Sequence, residues 1–143
     1  IRTLGKGDTV SLPSGAGTVL WPIRSTVRAD ADANLYSLTM RWTIKGTTLL
    51  TTGDLDGVYE MYAAAPADLV KVAHHGSTSS TSSAFLQSVA PQTAILSGGD
   101  EKRYASVAER LGDTPLFATQ HGGAVTVSFE ENRYTISSYG AGE

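Results

Sequence analysis

Asp54 ends the run Thr52-Gly53-Asp54, and His74-His75-Gly76-Ser77 follows after a connection about one helix long. Each group comes directly after an apolar run, Leu49-Leu50 in one case and Leu69 to Ala73 in the other. A carboxylate and two adjacent imidazoles therefore leave the ends of two buried strands. That ligand set binds hard or borderline metal ions, and sites in α/β proteins gather at strand ends. Two of the chain's three histidines lie in this one tetrapeptide, which argues against chance scatter. Asp54 with His74 or His75 makes half of a metal site. Plainer roles exist for the same residues. An Asp after Gly often makes a turn or caps a helix, and a His pair beside Gly often bonds to backbone. Successive side chains of an extended segment point to opposite sides, so which imidazole is the ligand stays open.

Strand-like runs that would carry these groups are Thr9–Leu12, Gly17–Trp21, Tyr36–Ile44, Thr48–Thr51, Leu69–Ala73, Thr93–Leu96, Leu116–Ala118, Ala124–Phe129 and Arg133–Ser138. Tyr36 to Trp42 alternates with period two, as a half-buried strand does. Lys45-Gly46 and Glu131-Asn132 are hairpin turns. Helices are expected over Val58–Ala64, over Ser83–Val89 with Ser82 or Ser83 as cap, and over Ala105–Leu111 ending at Gly112. Strands and helices alternate in the middle with hairpins at either end, which suggests half of a layered α/β sandwich. Ser77 to Ser83 is a low-complexity loop, either a flexible surface feature or, with the start of the Ser83 helix, a phosphate-binding one. Asp30 to Asn34 reads as a solvated turn, since it lacks the Gly and distal Glu of a calcium loop.

At 143 residues, 41% hydrophobic and with net charge −3, the chain fits one soluble domain with a real core. It has no run near the ~20 apolar residues that cross a bilayer, and Ile1-Arg2-Thr3 is not a signal peptide. The absence of cysteine excludes disulfides and thiolate ligands. No basic patch dominates, so DNA contact would fall to local residues such as Lys45, Lys71, Lys102 and Arg103.

Over Asn34 to Val127 the chain resembles the metallo-β-lactamase-like domain of the DNA-internalisation competence proteins, the ComEC family. The matching pieces are Asn34 to Trp42, Leu49 to Asp56, Asp68 to Ser80, Phe85 to Gly99, and the stretch ending at Val127. The resemblance implies an αββα sandwich of which residues 1–143 are the C-terminal half, a mixed sheet with flanking helices in a single partial domain. It implies a metal-dependent phosphodiesterase or nuclease-type hydrolase for DNA uptake, set outside the cytoplasm on a parent with a large membrane-embedded portion. Two divalent ions, zinc or manganese, would sit between the halves of the complete domain. Asp54 matches the bridging carboxylate, and one of His74 and His75 matches a later ligand. Asp54 and His75 are thus the catalytic candidates, and Asp54, His74 and His75 the metal ligands. Ser77, Ser79 and His121 are candidate substrate contacts. Asp56 either orients a histidine or caps a helix.

Two departures qualify the match. The family's His-x-His-x-Asp-His motif is absent and would lie upstream of Ile1. The Tyr-Gly-His-Pro segment after the Ser-x-Gly strand is replaced by Asp100 to Ser106, leaving His121 as the only other histidine. The isolated fragment is therefore expected to bind metal weakly or not at all and to be inactive, because ligation is cooperative with site completeness. It is also expected to expose an apolar face, covered in the parent by the missing half or otherwise by a homodimer or domain swap. The alternatives are a non-catalytic remnant or binding module of the same fold, or a hydrolase of another phosphoester, as in phosphorylcholine esterases.

Overall fold

The computed structural model describes residues 3–140; Ile1-Arg2 and the tail Ala141-Gly142-Glu143 lie outside the described residues. Strands β1 (Thr9–Leu12), β2 (Gly15–Trp21), β3 (Thr39–Ile44) and β4 (Thr47–Thr51) pair antiparallel in sequence order. Lys45 (φ 46°) and Gly46 (φ 84°) both take the left-handed conformation that a tight β3–β4 hairpin requires. Strands β5 (Leu69–Lys71), β6 (Thr93–Leu96) and β7 (Leu116–Ala118) then add in parallel beside β4. The result is a mixed seven-stranded sheet in the order β1-β2-β3-β4-β5-β6-β7. Strands β8 (Ala124–Glu130) and β9 (Arg133–Tyr139) form a separate hairpin turned at Asn132 (φ 56°). The helices are α1 (Gly57–Glu60), α2 (Ser83–Val89), α3 (Glu101–Leu111) and α4 (Thr119–Gly122).

One sheet face carries Leu50, Val70, Val72, Ala94 and Leu96, and onto it pack Phe85, Leu86 and Val89 of α2 with Val107 and Leu111 of α3. Each such side chain stabilises by about 1.5–3 kcal/mol on burial, so this face anchors the parallel strands. Trp21, Leu55 and Ala63 form a second cluster, with Tyr59 stacked on Trp21 at 4.8 Å. The opposite face of the sheet is less completely covered. Trp42, Leu49, Ile95 and Phe117 there are only half-buried, as are Val125, Val127, Phe129, Tyr134 and Ile136 of the hairpin. The hairpin reaches this face through Tyr134, whose hydroxyl meets Thr93 Oγ1 at 2.8 Å, and through Lys45 Nζ, which donates to the Phe129 carbonyl.

Most expected elements are present, with altered ends. The strand expected from Tyr36 starts at Thr39, because Asp32 caps a 3₁₀ turn over Ala33–Tyr36. Asp30 to Asn34 is accordingly a turn with a cap in it. Helix α1 stops at Glu60 rather than Ala64, where 3₁₀-type bonds tuck Ala63 into the Trp21 cluster. Helix α3 starts at Glu101, not Ala105, because the Asp100 side chain accepts from the Arg103 N–H.

Candidate functional site

The carboxyl ends of β4, β5, β6 and β7 lie along one edge of the sheet, and the loops leaving them carry the predicted residues. After β4, Gly53 (φ 56°) turns the chain and its carbonyl accepts from the His74 N–H at 3.1 Å. Ser37 Oγ accepts from the Asp54 N–H at 3.1 Å, and the fully buried Leu55 pins the next position. After β5 the chain enters a tight turn, Ala73–Gly76, in which His74 (φ 49°), His75 (φ 51°) and Gly76 (φ 77°) are all left-handed. That conformation costs a non-glycine residue about 1–2 kcal/mol, and such strain clusters at functional sites.

The turn brings His75 against Asp54. His75 Nδ1 lies 2.6 Å from the Ser97 carbonyl at the end of β6, and a carbonyl only accepts, so Nδ1 carries the proton. In the neutral form of the ring Nε2 is then bare, and it lies 3.5 Å from Asp54 Oδ1. That separation exceeds an N–H···O hydrogen bond. In that form two acceptors face each other, an arrangement that attracts a cation. The Asp54 and His75 side chains are 38% and 46% exposed, so the pair opens to solvent on its outer side. His74 Nδ1 is buried without a hydrogen-bond partner. These donors fit one edge of a cation site. Among the described residues no group of three or more His, Cys, Asp or Glu comes together that could hold a metal ion.

Behind the pair, the Ser/Thr loop is pinned. Ser80 and Thr81 are buried, and Arg110 of α3 donates to the carbonyls of both. The buried Glu60 carboxylate accepts from the Ser82 N–H at 3.1 Å, so a protein carboxylate already fills the place at the start of α2 that the sequence offered to a phosphate. Ser79 Oγ donates to Asp56 Oδ2 at 3.3 Å and meets Ser77 Oγ at 3.1 Å. Asp56 also accepts from the Val58 N–H, so it is the cap of α1. Gly57 approaches Ser79 so closely that a Cβ there would lie 2.2 Å from the Ser79 carbonyl oxygen.

His121 follows β7 on the same edge, but its Nε2 bonds to Glu101 at 2.9 Å and its ring packs edge-on against Tyr104. Lys71, one register position beside Thr51, carries an ammonium whose pKa burial pushes below its usual value while Asp54 pulls it up. The strand-end rule that pointed to Asp54 and His75 also reaches Ser97 at the end of β6. Glu60 and Arg110 act across long sequence separations and left no local signal.

No known family profile matches the chain. Two curated proteins are similar to it. The ComE operon protein 3 of Bacillus subtilis (strain 168) is 40% identical over 109 residues, 73% of this chain and 14% of that protein. The competence protein ComA of Neisseria gonorrhoeae is 32% identical over 99 residues, 62% of this chain and 14% of that protein. The chain thus spans about one-seventh of the length of either relative. The similarity thus joins the greater part of this chain to segments of two much longer proteins, one of them named for competence.

Proposed function

We propose that this chain is the C-terminal half of a metallo-β-lactamase-like phosphodiesterase domain that acts on DNA during uptake. The observation that carries this is the facing of His75 Nε2 and Asp54 Oδ1, with His75 held in the metal-ready tautomer by the Ser97 carbonyl. The resemblance to the ComEC family, together with a relative named as a competence protein, supports the DNA-uptake setting. Two divalent cations, zinc or manganese, would supply a water of lowered pKa and stabilise both oxygens of the displacement. Asp54, His75 and His74 would hold this chain's share of them. The strained turn keeps both rings at the strand edge, and Leu55 holds the Asp54 loop against the second cluster. Ser77, Ser79 and His121 remain substrate-contact candidates. The remaining ligands would come from the family's upstream half, whose sheet would also cover the half-buried Trp42, Leu49, Ile95 and Phe117. A second copy or swapped segment is the other possible cover. The parent's membrane-embedded part is assigned to other segments, with this domain outside the cytoplasm. Among the described residues no helix is long and apolar enough to cross a membrane.

A non-catalytic module of the same fold is the second reading, favoured by Ala105-Ser106 standing where a histidine is expected. Nuclease turnover by the natural full-length protein with added Mn²⁺ or Zn²⁺ separates the two. Catalysis predicts that Asp54→Ala lowers turnover on the order of 10³-fold. It also predicts that His74→Ala and His75→Ala differ, one mainly weakening metal affinity and the other turnover. Undiminished cleavage by Asp54→Ala, or no cleavage with any metal, favours the non-catalytic module.

A further inference from the structure

Helix α3 lays two cations beside the left-handed turn. The Arg103 stem packs over Gly76 and Gly99: a Cβ at Gly76 would sit 3.4 Å from Arg103 Cβ, and one at Gly99 would sit 3.6 Å from it. Gly99 in turn lies against the His75 carbonyl. Arg103 is thereby held next to His75 while its guanidinium makes no hydrogen bond or ion pair among the described residues, and the same holds for Lys102 Nζ. Both side chains line an open cavity of about 240 Å³ together with Ser77, Thr78 and Asp100. Asp100 shares the cavity lining, and both nearby acids have hydrogen-bond partners. Asp100 Oδ1 accepts from the Arg103 N–H, and Glu101 accepts from Gln120 and His121. Lys45 is tied to the Phe129 carbonyl and Lys71 is partly buried near Gly53, so neither offers a comparable free cation.

We propose that Arg103 and Lys102, with the Ser77 and Thr78 hydroxyls, form a backbone-phosphate subsite that holds a nucleic-acid strand beside the Asp54–His75 pair. This rests on the phosphodiesterase reading and adds to it a grip on the strand at a phosphate other than the one attacked. A planar guanidinium with a packed stem suits bidentate capture of phosphate oxygens, and Lys102 adds a mobile point charge. The cavity begins two residues past His75, so the gripped phosphate neighbours the candidate centre.

The test is binding of a labelled oligothymidylate to the natural full-length protein in EDTA, followed by anisotropy across a salt series. Without metal there is no turnover, so failure of the nuclease reading leaves this measurement intact. Arg103→Ala should weaken binding about tenfold or more and lower the slope of log K against log salt by about 0.7. Arg103→Lys, which keeps the stem over the two glycines, should recover the slope but only part of the affinity. Lys102→Ala should act in the same direction with smaller effect. Wild-type affinity and slope in both Arg103 variants overturn the proposal. Displacement of the oligonucleotide by orthophosphate at equal phosphate concentration overturns its polymer part.

Discussion

The two ends of the parallel strands treat their carboxylates in opposite ways. At the amino end Asp68 lines the larger cavity, about 480 Å³, and is saturated: Thr48 donates to it through N–H and hydroxyl, and Gln92 Nε2 reaches its other oxygen. At the carboxyl end Asp54 Oδ1 stands 3.5 Å from His75 Nε2, beside two histidines in left-handed conformation and a buried unpaired ring nitrogen. Unmet polar valence and backbone strain, not cavity size, set apart the end of the sheet where the proposed site lies.

Asp68 and Asp54 should therefore fail differently. Asp68→Ala strips partners from Thr48 and Gln92 and should cost about 1–3 kcal/mol in denaturant unfolding, leaving activity per folded molecule unchanged. Asp54→Ala should move stability by less than about 0.5 kcal/mol while turnover collapses. Equal stability losses would erase the contrast. Next in size, His74→Gly relieves a left-handed non-glycine residue and removes an orphan nitrogen, so it should raise stability by about 1 kcal/mol while activity falls. A destabilised, fully active variant would show that the turn is structural.

The smallest effect concerns Lys71. Burial holds its pKa below the ordinary 10.5, so the fold penalises the charged ammonium. That penalty is fully present below the folded value and is relieved as pH rises past 10.5. Lys71→Met should be the more stable protein at neutral pH, with the difference shrinking on alkaline titration. A gap independent of pH would remove the electrostatic explanation.

Sheet and site were legible to different depths. Strands β1, β6 and β7 and helix α2 match their expected bounds, because apolar runs with clear turn or cap residues at their ends leave few alternatives. The start of β3 was misplaced because Tyr36 and Leu38 continue its period-two pattern although the chain there is a capped turn. Strand ends point to Asp54 and to the His74-His75 pair without choosing between the two rings. The tautomer did not follow from the sequence, since it depends on a carbonyl of β6, twenty-two positions from His75. Nor did the pinning of the serine loop, which depends on Arg110, about thirty positions on. Contacts of that range are set by helix packing rather than by any local pattern.

The central claim is that Asp54 and His75 form a cation-ready pair, and nitrogen NMR of His75 tests it most directly. In the metal-free protein at mildly alkaline pH, the proton should sit on Nδ1 toward Ser97, and Zn²⁺ titration should shift Nε2 selectively, an effect lost in Asp54→Ala. A proton on Nε2 donated to Asp54, with both nitrogen signals indifferent to Zn²⁺, would contradict it.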